Sequence, residues 1–346
     1  MSSTTTITRQ HPSTPWSTWV LLCGLILAIA ACGDDSSDSP ADTETDSNST
    51  TGTTDGTTNT TDATSPVEEV NDDPTGMGYF PDGGFVLGDS HVNVIRTIDV
   101  IAQLEPGVAE GFDLDGRVSE EGDEETCGHG DLMSPEGVSG VDNQLAEMWS
   151  ALEPLIGEAS RALLQGSINE GRILVMLEMV GLDDLRNDDS VTFNLYQGKA
   201  TPDIGTKGLL VPSQTYLYDA DFPSTTMDNI QVVDGEAIVG PMSMTIPLDV
   251  LNVYYVLELT DVWFRIQIHE DGTFHGYFSG ALDVFDLLEE LYMSNAAAEA
   301  MLVAPVLETN TDLNNVNGQC TRLSTAFSFE GTTAFVVRPE SLRPAE

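Results

Sequence analysis

From Val92 onward the chain alternates apolar and polar residues in runs of strand length, punctuated by turn residues. The pattern predicts strands at Val92–Leu104, Arg172–Val180, Val191–Gly198, Thr215–Tyr218, Ile230–Val239, Met242–Leu248, Val253–Glu270, Phe274–Gly280 and Thr321–Val337. Arg172–Val180 is almost continuously apolar, as a strand buried on both faces is. Glu270-Asp271-Gly272-Thr273 reads as a hairpin turn, because Asp-Gly supplies the positive φ a tight turn needs. His269 and His275 bracket that turn and are placed to face each other across it.

Three stretches change to helical spacing. Asp142–Gln165 repeats apolar residues every three or four positions, with Pro154 inside as an expected break and Gly166 at the end. Leu282–Met293 is amphipathic and Asn295–Leu307 is Ala-rich. Strands with helices grouped between them, and no βαβ alternation, imply an α+β fold. The expected unit is a single domain on a mainly antiparallel sheet, with a sandwich as one arrangement it allows.

Composition divides what precedes the strands. Trp19–Ala31 is a short apolar run ending in Ile29-Ala30-Ala31-Cys32, the pattern of a bacterial lipobox. A span near 13 residues suits a signal peptide and falls short of the roughly 20 that cross a bilayer as a helix. Residues 1–31 are therefore expected to be a signal peptide, and Cys32 to carry the lipid that anchors the chain to a membrane of the cell envelope. From Gly33 to Thr75 the chain has twelve acids, no Lys or Arg, and few apolar side chains. Such a segment cannot offset the entropy of ordering, so residues 32–75 are expected to form a disordered acidic stalk spanning about 35–40 Å. Residues 76–346 are then one globular domain.

That domain holds 45 acidic against 11 basic residues, a formal charge of −34. Nucleic acid is excluded as a partner, since phosphate backbones are bound through clustered Lys and Arg. In an oxidising compartment Cys127 and Cys320 are expected to pair as a disulfide. The segment Asp113–Asp131 packs eight acids into nineteen residues beside four glycines. Acids at that density repel one another unless solvated or neutralised, and Ca²⁺ takes six to eight oxygen ligands of this kind. A true EF-hand is excluded, because counting Gly116 as the sixth position puts Gly111 first and Gly122 twelfth. The candidate ligands are Asp113, Asp115, Asp142 and Asn143, with Asp123 as a possible fifth. Asp142 also reads as the N-cap of the helix that follows it. Cys127-x-His129-x-Asp131 lacks the paired spacing of structural zinc sites.

Gly111-Phe112-Asp113-Leu114-Asp115-Gly116, then Gly140-Val141-Asp142-Asn143-Gln144-Leu145, then Leu182–Asp189 between strands, resemble a group of uncharacterised lipoproteins frequent in myxobacteria. In that group DLDG runs almost directly into DNxL, so that acids and amide form one loop. Here Arg117–Ser139 intervenes, and the sequence leaves open whether Asp142 and Asn143 reach Asp113 and Asp115. The resemblance implies a class of lipoprotein and no reaction.

Catalytic signatures are missing: there is no G-x-S-x-G, H-E-x-x-H, P-loop or G-x-G-x-x-G. The reading that follows is a non-enzymatic envelope lipoprotein with a binding or structural role, supported by calcium and meeting an envelope protein. A carrier with a cavity under the sheet for a small hydrophobic ligand is the first alternative. A hydrolase gathering His91, His269 or His275 with a carboxylate and a nucleophile is the second.

Overall fold

The computed structural model describes residues 90–250, 253–294 and 297–338. Cys32 and the signal and stalk segments lie outside them. Among the described residues, eleven strands form: β1 (Ser90–Val100), β2 (Leu132–Met133), β3 (Ser139–Val141), β4 (Val175–Val180), β5 (Asn187–Lys199), β6 (Gln214–Tyr218), β7 (Thr225–Val233), β8 (Glu236–Val250), β9 (Val253–Ile268), β10 (Phe274–Asp283) and β11 (Arg322–Val337). Three helices accompany them: α1 (Gln144–Asn169), α2 (Val284–Met293) and α3 (Ala297–Thr309).

Strands β1, β4, β5, β7, β8, β9, β10 and β11 each pair antiparallel with the next, and β11 returns to β1. The closing register runs from Val92↔Ala334 to Val100↔Phe327. This closed eight-stranded up-and-down barrel corrects the expected α+β, sandwich-like sheet. Alternation specifies which face of each strand is apolar, but it carries no information on whether the first and last strands meet. Closure also satisfies every edge that an open sheet would leave unpaired.

Eight strands enclose a lumen just wide enough for side chains to fill. Phe193 on β5 packs against Phe264 on β9 at 5.9 Å between centroids, although two strands separate them around the wall. Phe264 also touches Phe278 (5.2 Å) and Phe329 (6.0 Å), and all four rings are buried. The lumen is thus a packed aromatic core.

A second circuit lies against the barrel. β6 pairs parallel with the end of β11 and antiparallel with the end of β5, so it covers the outer face of the strands between them. Tyr216 of β6 and Met176 of β4 close on Gly198, where an added Cβ would meet both side chains at 3.1–3.4 Å. That second cover is why β4 reads as a nearly unbroken apolar run, with every residue from Val175 to Met179 fully buried.

Two local expectations also change. α1 continues through Pro154 where a break was expected. Trp149 and Leu152 pack with Val100 and Ala102, while Ile168 near the other end joins the main apolar cluster, so both halves are held on the barrel. The stretch expected as one strand, Ile230–Val239, is split into β7 and β8 at Asp234-Gly235, whose φ values of 53° and 84° make a tight hairpin. At the Asp271-Gly272 turn the backbone tucks against β1. The Gly272 carbonyl accepts from Asn93 at 3.0 Å and lies 2.5 Å from His91 Nε2, and a Cβ there would strike the His91 ring at 2.6 Å.

The two ends of the described chain meet at one buried carboxylate. Glu178 on β4 has no exposed side-chain surface and is clamped by both terminal nitrogens of Arg338. Ser90 Oγ donates to it at 2.5 Å and Asn194 Nδ2 at 3.0 Å, while the guanidinium lies 5.0 Å over the Tyr196 ring. Removing the cation strands a buried charge. Arg338→Ala should therefore cost about 3–5 kcal/mol in a denaturant titration, and Glu178→Met with Arg338→Met together should cost less than Arg338→Ala alone.

Candidate metal centre

Between β1 and α1 the chain lays a loop layer on the outer barrel wall. Ile101, Ala109, Leu132 and Val141 from this layer pack with Ala146 of α1 and with Tyr277 and Ala326 of β10 and β11. Phe112 rests between Trp263 (6.0 Å) and Tyr277 (5.4 Å). These contacts seat the Asp113 turn against the start of α1: the Asp142 N–H donates to the Phe112 carbonyl at 2.9 Å. Gly140, at φ 93°, lets the two segments approach, since a Cβ there would stand 3.0 Å from the Arg117 carbonyl.

The intervening Arg117–Ser139 segment loops out and returns, and Asp142 reaches the Asp113–Asp115 turn despite it. Oxygens of Asp113, Asp115 and Asp142 lie within 4.8 Å of one another, with the first two exposed and the third buried. Three carboxylates at that spacing could hold a metal ion. Asp142 Oδ2 accepts the N–H groups of Leu114 (2.6 Å) and Asp115 (3.2 Å). Asp113 Oδ1 accepts from Gly116 (2.6 Å) and Asp115 Oδ1 from Arg117 (2.9 Å).

The other two expected ligands are engaged elsewhere. Asn143, not Asp142, caps α1: its Oδ1 accepts from Ala146 N at 3.2 Å and its Nδ2 donates to the Glu110 carbonyl. Asp123 accepts from Glu125 N and sits 3.5 Å from the Arg117 guanidinium. The Cys-x-His-x-Asp run disperses in the same way. Cys127 forms the expected disulfide with Cys320, at 6.0 Å between Cα atoms, pinning the acidic loop beside the start of β11. His129 Nε2 lies 3.2 Å from the Thr309 carbonyl, and Asp131 accepts from Ser119 N at 2.6 Å.

Two acids outside the expected ligand set complete the electrostatics. Asp131 has its carboxyl pushed up chiefly by burial, with Asp115 and Asp113 adding repulsion. Asp312, in the turn before β11, is pushed up to about 7 by burial. Its oxygens accept Ser324 N (2.8 Å) and Ser324 Oγ (2.5 Å), and that hydroxyl accepts the Gln144 N–H at 2.7 Å, tying the first turn of α1 to β11. No spacing or motif marks Asp312; its burial follows from the loop closed around Cys320. For Asp142, burial dominates and Asp115, Asp131 and Asp312 reinforce it, so its carboxyl is pushed up to about 8. A buried acid so surrounded is neutralised either by a proton or by a cation.

Comparison with family models, curated proteins and solved structures gives no match. The pH response of the cluster is a direct measurement of its charge state. Asp142 and Asp312 keep their protons longer in the fold than in the unfolded chain, so their contribution is complete below about pH 4 and is lost as pH rises through about 7 to 8. The buried His91 works in the opposite direction only at lower pH, because burial lowers its pKa from 6.5. With a chelator present, the contribution of Asp142 and Asp312 should make stability fall as pH rises from about 4 and level off above about 8 in urea titrations. Asp142→Asn, which keeps an oxygen for the Leu114 N–H, should flatten that fall.

Proposed function

We propose that this protein is a lipid-anchored envelope protein in which a filled β-barrel serves a non-enzymatic binding or structural role, with Ca²⁺ bound by Asp113, Asp115 and Asp142. The observation that carries the reading is the arrival of Asp142 at the Asp113–Asp115 turn. Calcium suits the donors, which are hard oxygens on a loop open to carbonyls and water for the remaining ligands. The ion would take the place of the proton on Asp142, so binding at neutral pH releases a proton and tightens as pH rises toward 8.

The anchoring half of the proposal rests on Ile29-Ala30-Ala31-Cys32. The barrel wall supports it indirectly. Its outward positions carry Glu236, Arg265, Gln267, His275 and Glu330, whereas a wall facing lipid would present an apolar belt. Membrane contact is then left to the acyl chains on Cys32. Phe193, Phe264, Phe278 and Phe329 occupy the space a hydrophobic ligand would need, which favours the structural or binding module over a carrier.

Calcium titrated into the mature chain at pH 7.5 should raise its melting temperature. At about one hundred times its dissociation constant the ion adds about 2.7 kcal/mol of stability. Asp113→Asn with Asp115→Asn should abolish the rise, and magnesium should give a smaller one. No rise at millimolar calcium would sink the calcium reading.

A further inference from the structure

Three of the four histidines among the described residues gather at the Glu270–Thr273 turn between β9 and β10. On the outer face His269 and His275 stack across the hairpin, with ring centroids 4.4 Å apart and planes 19° from parallel. Beneath the turn lies His91 of β1, 1% exposed, its ring 5.3 Å from that of Phe274. Phe274 shares its face of β10 with Phe278, so His91 meets the aromatic lumen at this end of the barrel. β1 and β10 are not neighbours, because β11 runs between them. The turn therefore bends across the barrel end to reach β1, and side chains hold it there. Asn93 Nδ2 donates to the Gly272 carbonyl at 3.0 Å, Asn93 Oδ1 accepts the Phe274 N–H at 3.2 Å, and His91 Nε2 stands 2.5 Å from the same Gly272 carbonyl.

A carbonyl can only accept, so Nε2 carries the proton of His91 and Nδ1 is the bare nitrogen. Nδ1 is shut off from solvent and has no hydrogen-bond partner. An unmet lone pair there is the lesser cost; a second N–H would add a buried charge as well as an unmet donor. The ring can take that proton only where water reaches it, which requires the turn to lift. β4 opposes His91 with Met179, and the charged group acting on it is Asp271 of the turn, whose Oδ1 already accepts Thr273 N and Thr273 Oγ1. On the outer face Glu330 of β11 stands opposite His275 and is paired with Arg96 of β1, while Arg265 and Glu236 line the same wall. Protonating both stacked rings adds repulsion in the same direction, weakened by their contact with water.

We infer that the β9–β10 turn is an acid-released latch over one end of the barrel, held shut by the neutral His91 ring and freed when that ring takes a second proton. Release uncovers the Phe274 end of the lumen. Burial holds His91 below its ordinary value of 6.5 while the turn is closed. The closed turn is therefore fully stable above about pH 6.5 and loses up to about tenfold in its closing equilibrium for each unit below. Asp142 and Asp312 gain stability as pH falls, so they oppose a global loss over the same range. The latch is independent of the calcium cluster and stands or falls without it.

Hydrogen exchange of the mature chain, resolved at single amides between pH 7.5 and 5 and corrected for the pH dependence of the exchange chemistry, tests the latch. The reporters are the Gly272 N–H, which donates to the His269 carbonyl at 2.9 Å, and the Phe274 N–H on Asn93. Their protection should fall by about tenfold or more across that range, while Leu177 in β4 keeps its own. His91→Gln, which keeps a donor for the Gly272 carbonyl and cannot take a proton, should hold the protection constant. Should that variant fail to fold, the ring nitrogen shifts of His91 in the unaltered chain serve instead, and their midpoint should coincide with that of the lost protection. Protection that stays constant to pH 5, a loss shared equally by Leu177, a loss that persists in His91→Gln, or a His91 ring that stays neutral while protection is lost would overturn the proposal.

Discussion

Pairing of β1 with β11 is the constraint on which the rest of the molecule depends. The two strands are separated by more than 200 residues of chain, and joining them converts an eight-stranded sheet into a barrel. Closing so long a loop costs entropy that grows with the logarithm of its length, and contacts of this separation form slowly. What offsets the cost is the aromatic lumen that exists only once the wall is closed. Phe193 and Phe264 can touch across the interior, and Phe329 of β11 can join them, because both edges have met. The Cys127–Cys320 bridge spans nearly the same stretch of chain and ties the loop layer to the beginning of the closing strand.

A filled lumen turns attention to the outer face. With Phe193, Phe264, Phe278 and Phe329 packed together inside, the features on which the proposed function rests lie in the segment inserted between β1 and β4. That segment packs through Phe112, Val141 and Ala146 onto Tyr277 and Ala326, so its geometry is inherited from β10 and β11. The start of α1 is fixed from two sides, by Asn143 capping and by the Ser324 hydroxyl on Gln144 N. Asp142 is consequently aimed at the Asp113 turn by the barrel, and the turn holds it through the Phe112 carbonyl and the N–H groups of Leu114 and Asp115.

Much of the strand content could be read from alternation, and the unbroken apolar run of β4 correctly signalled a strand buried on both faces. The closed topology could not be read, because pairing partners such as Val92 and Ala334 carry no mark of each other. The split of Ile230–Val239 was legible in Asp234-Gly235, the same dipeptide type that gave the Asp271-Gly272 turn, but the apolar run hid it. At the site, Asp113, Asp115 and Asp142 were legible from spacing and resemblance. Asn143 was not separable from them by residue type, since an amide beside a helix start serves equally as cap or ligand. Asp312 was invisible: its character comes from burial beneath a loop whose position is set by Cys320 and β11.

The domain carries a formal charge of −34 and still buries acids, and it neutralises them by different means in different places. Glu178 sits where strand partners surround it, and there a bidentate arginine, a hydroxyl and an amide complete its oxygens. Asp312 relies on the two donors of Ser324 and a raised pKa. Asp142 has only backbone N–H groups, with other carboxylates as its charged neighbours. An arginine near Asp142 would have made the cluster a closed structural unit like that of Glu178. Its absence from the hydrogen bonds of Asp142 leaves the proton, or a divalent cation that replaces it, as the remaining counter-charge, which is why this acid and not Glu178 is the one placed to respond to its surroundings.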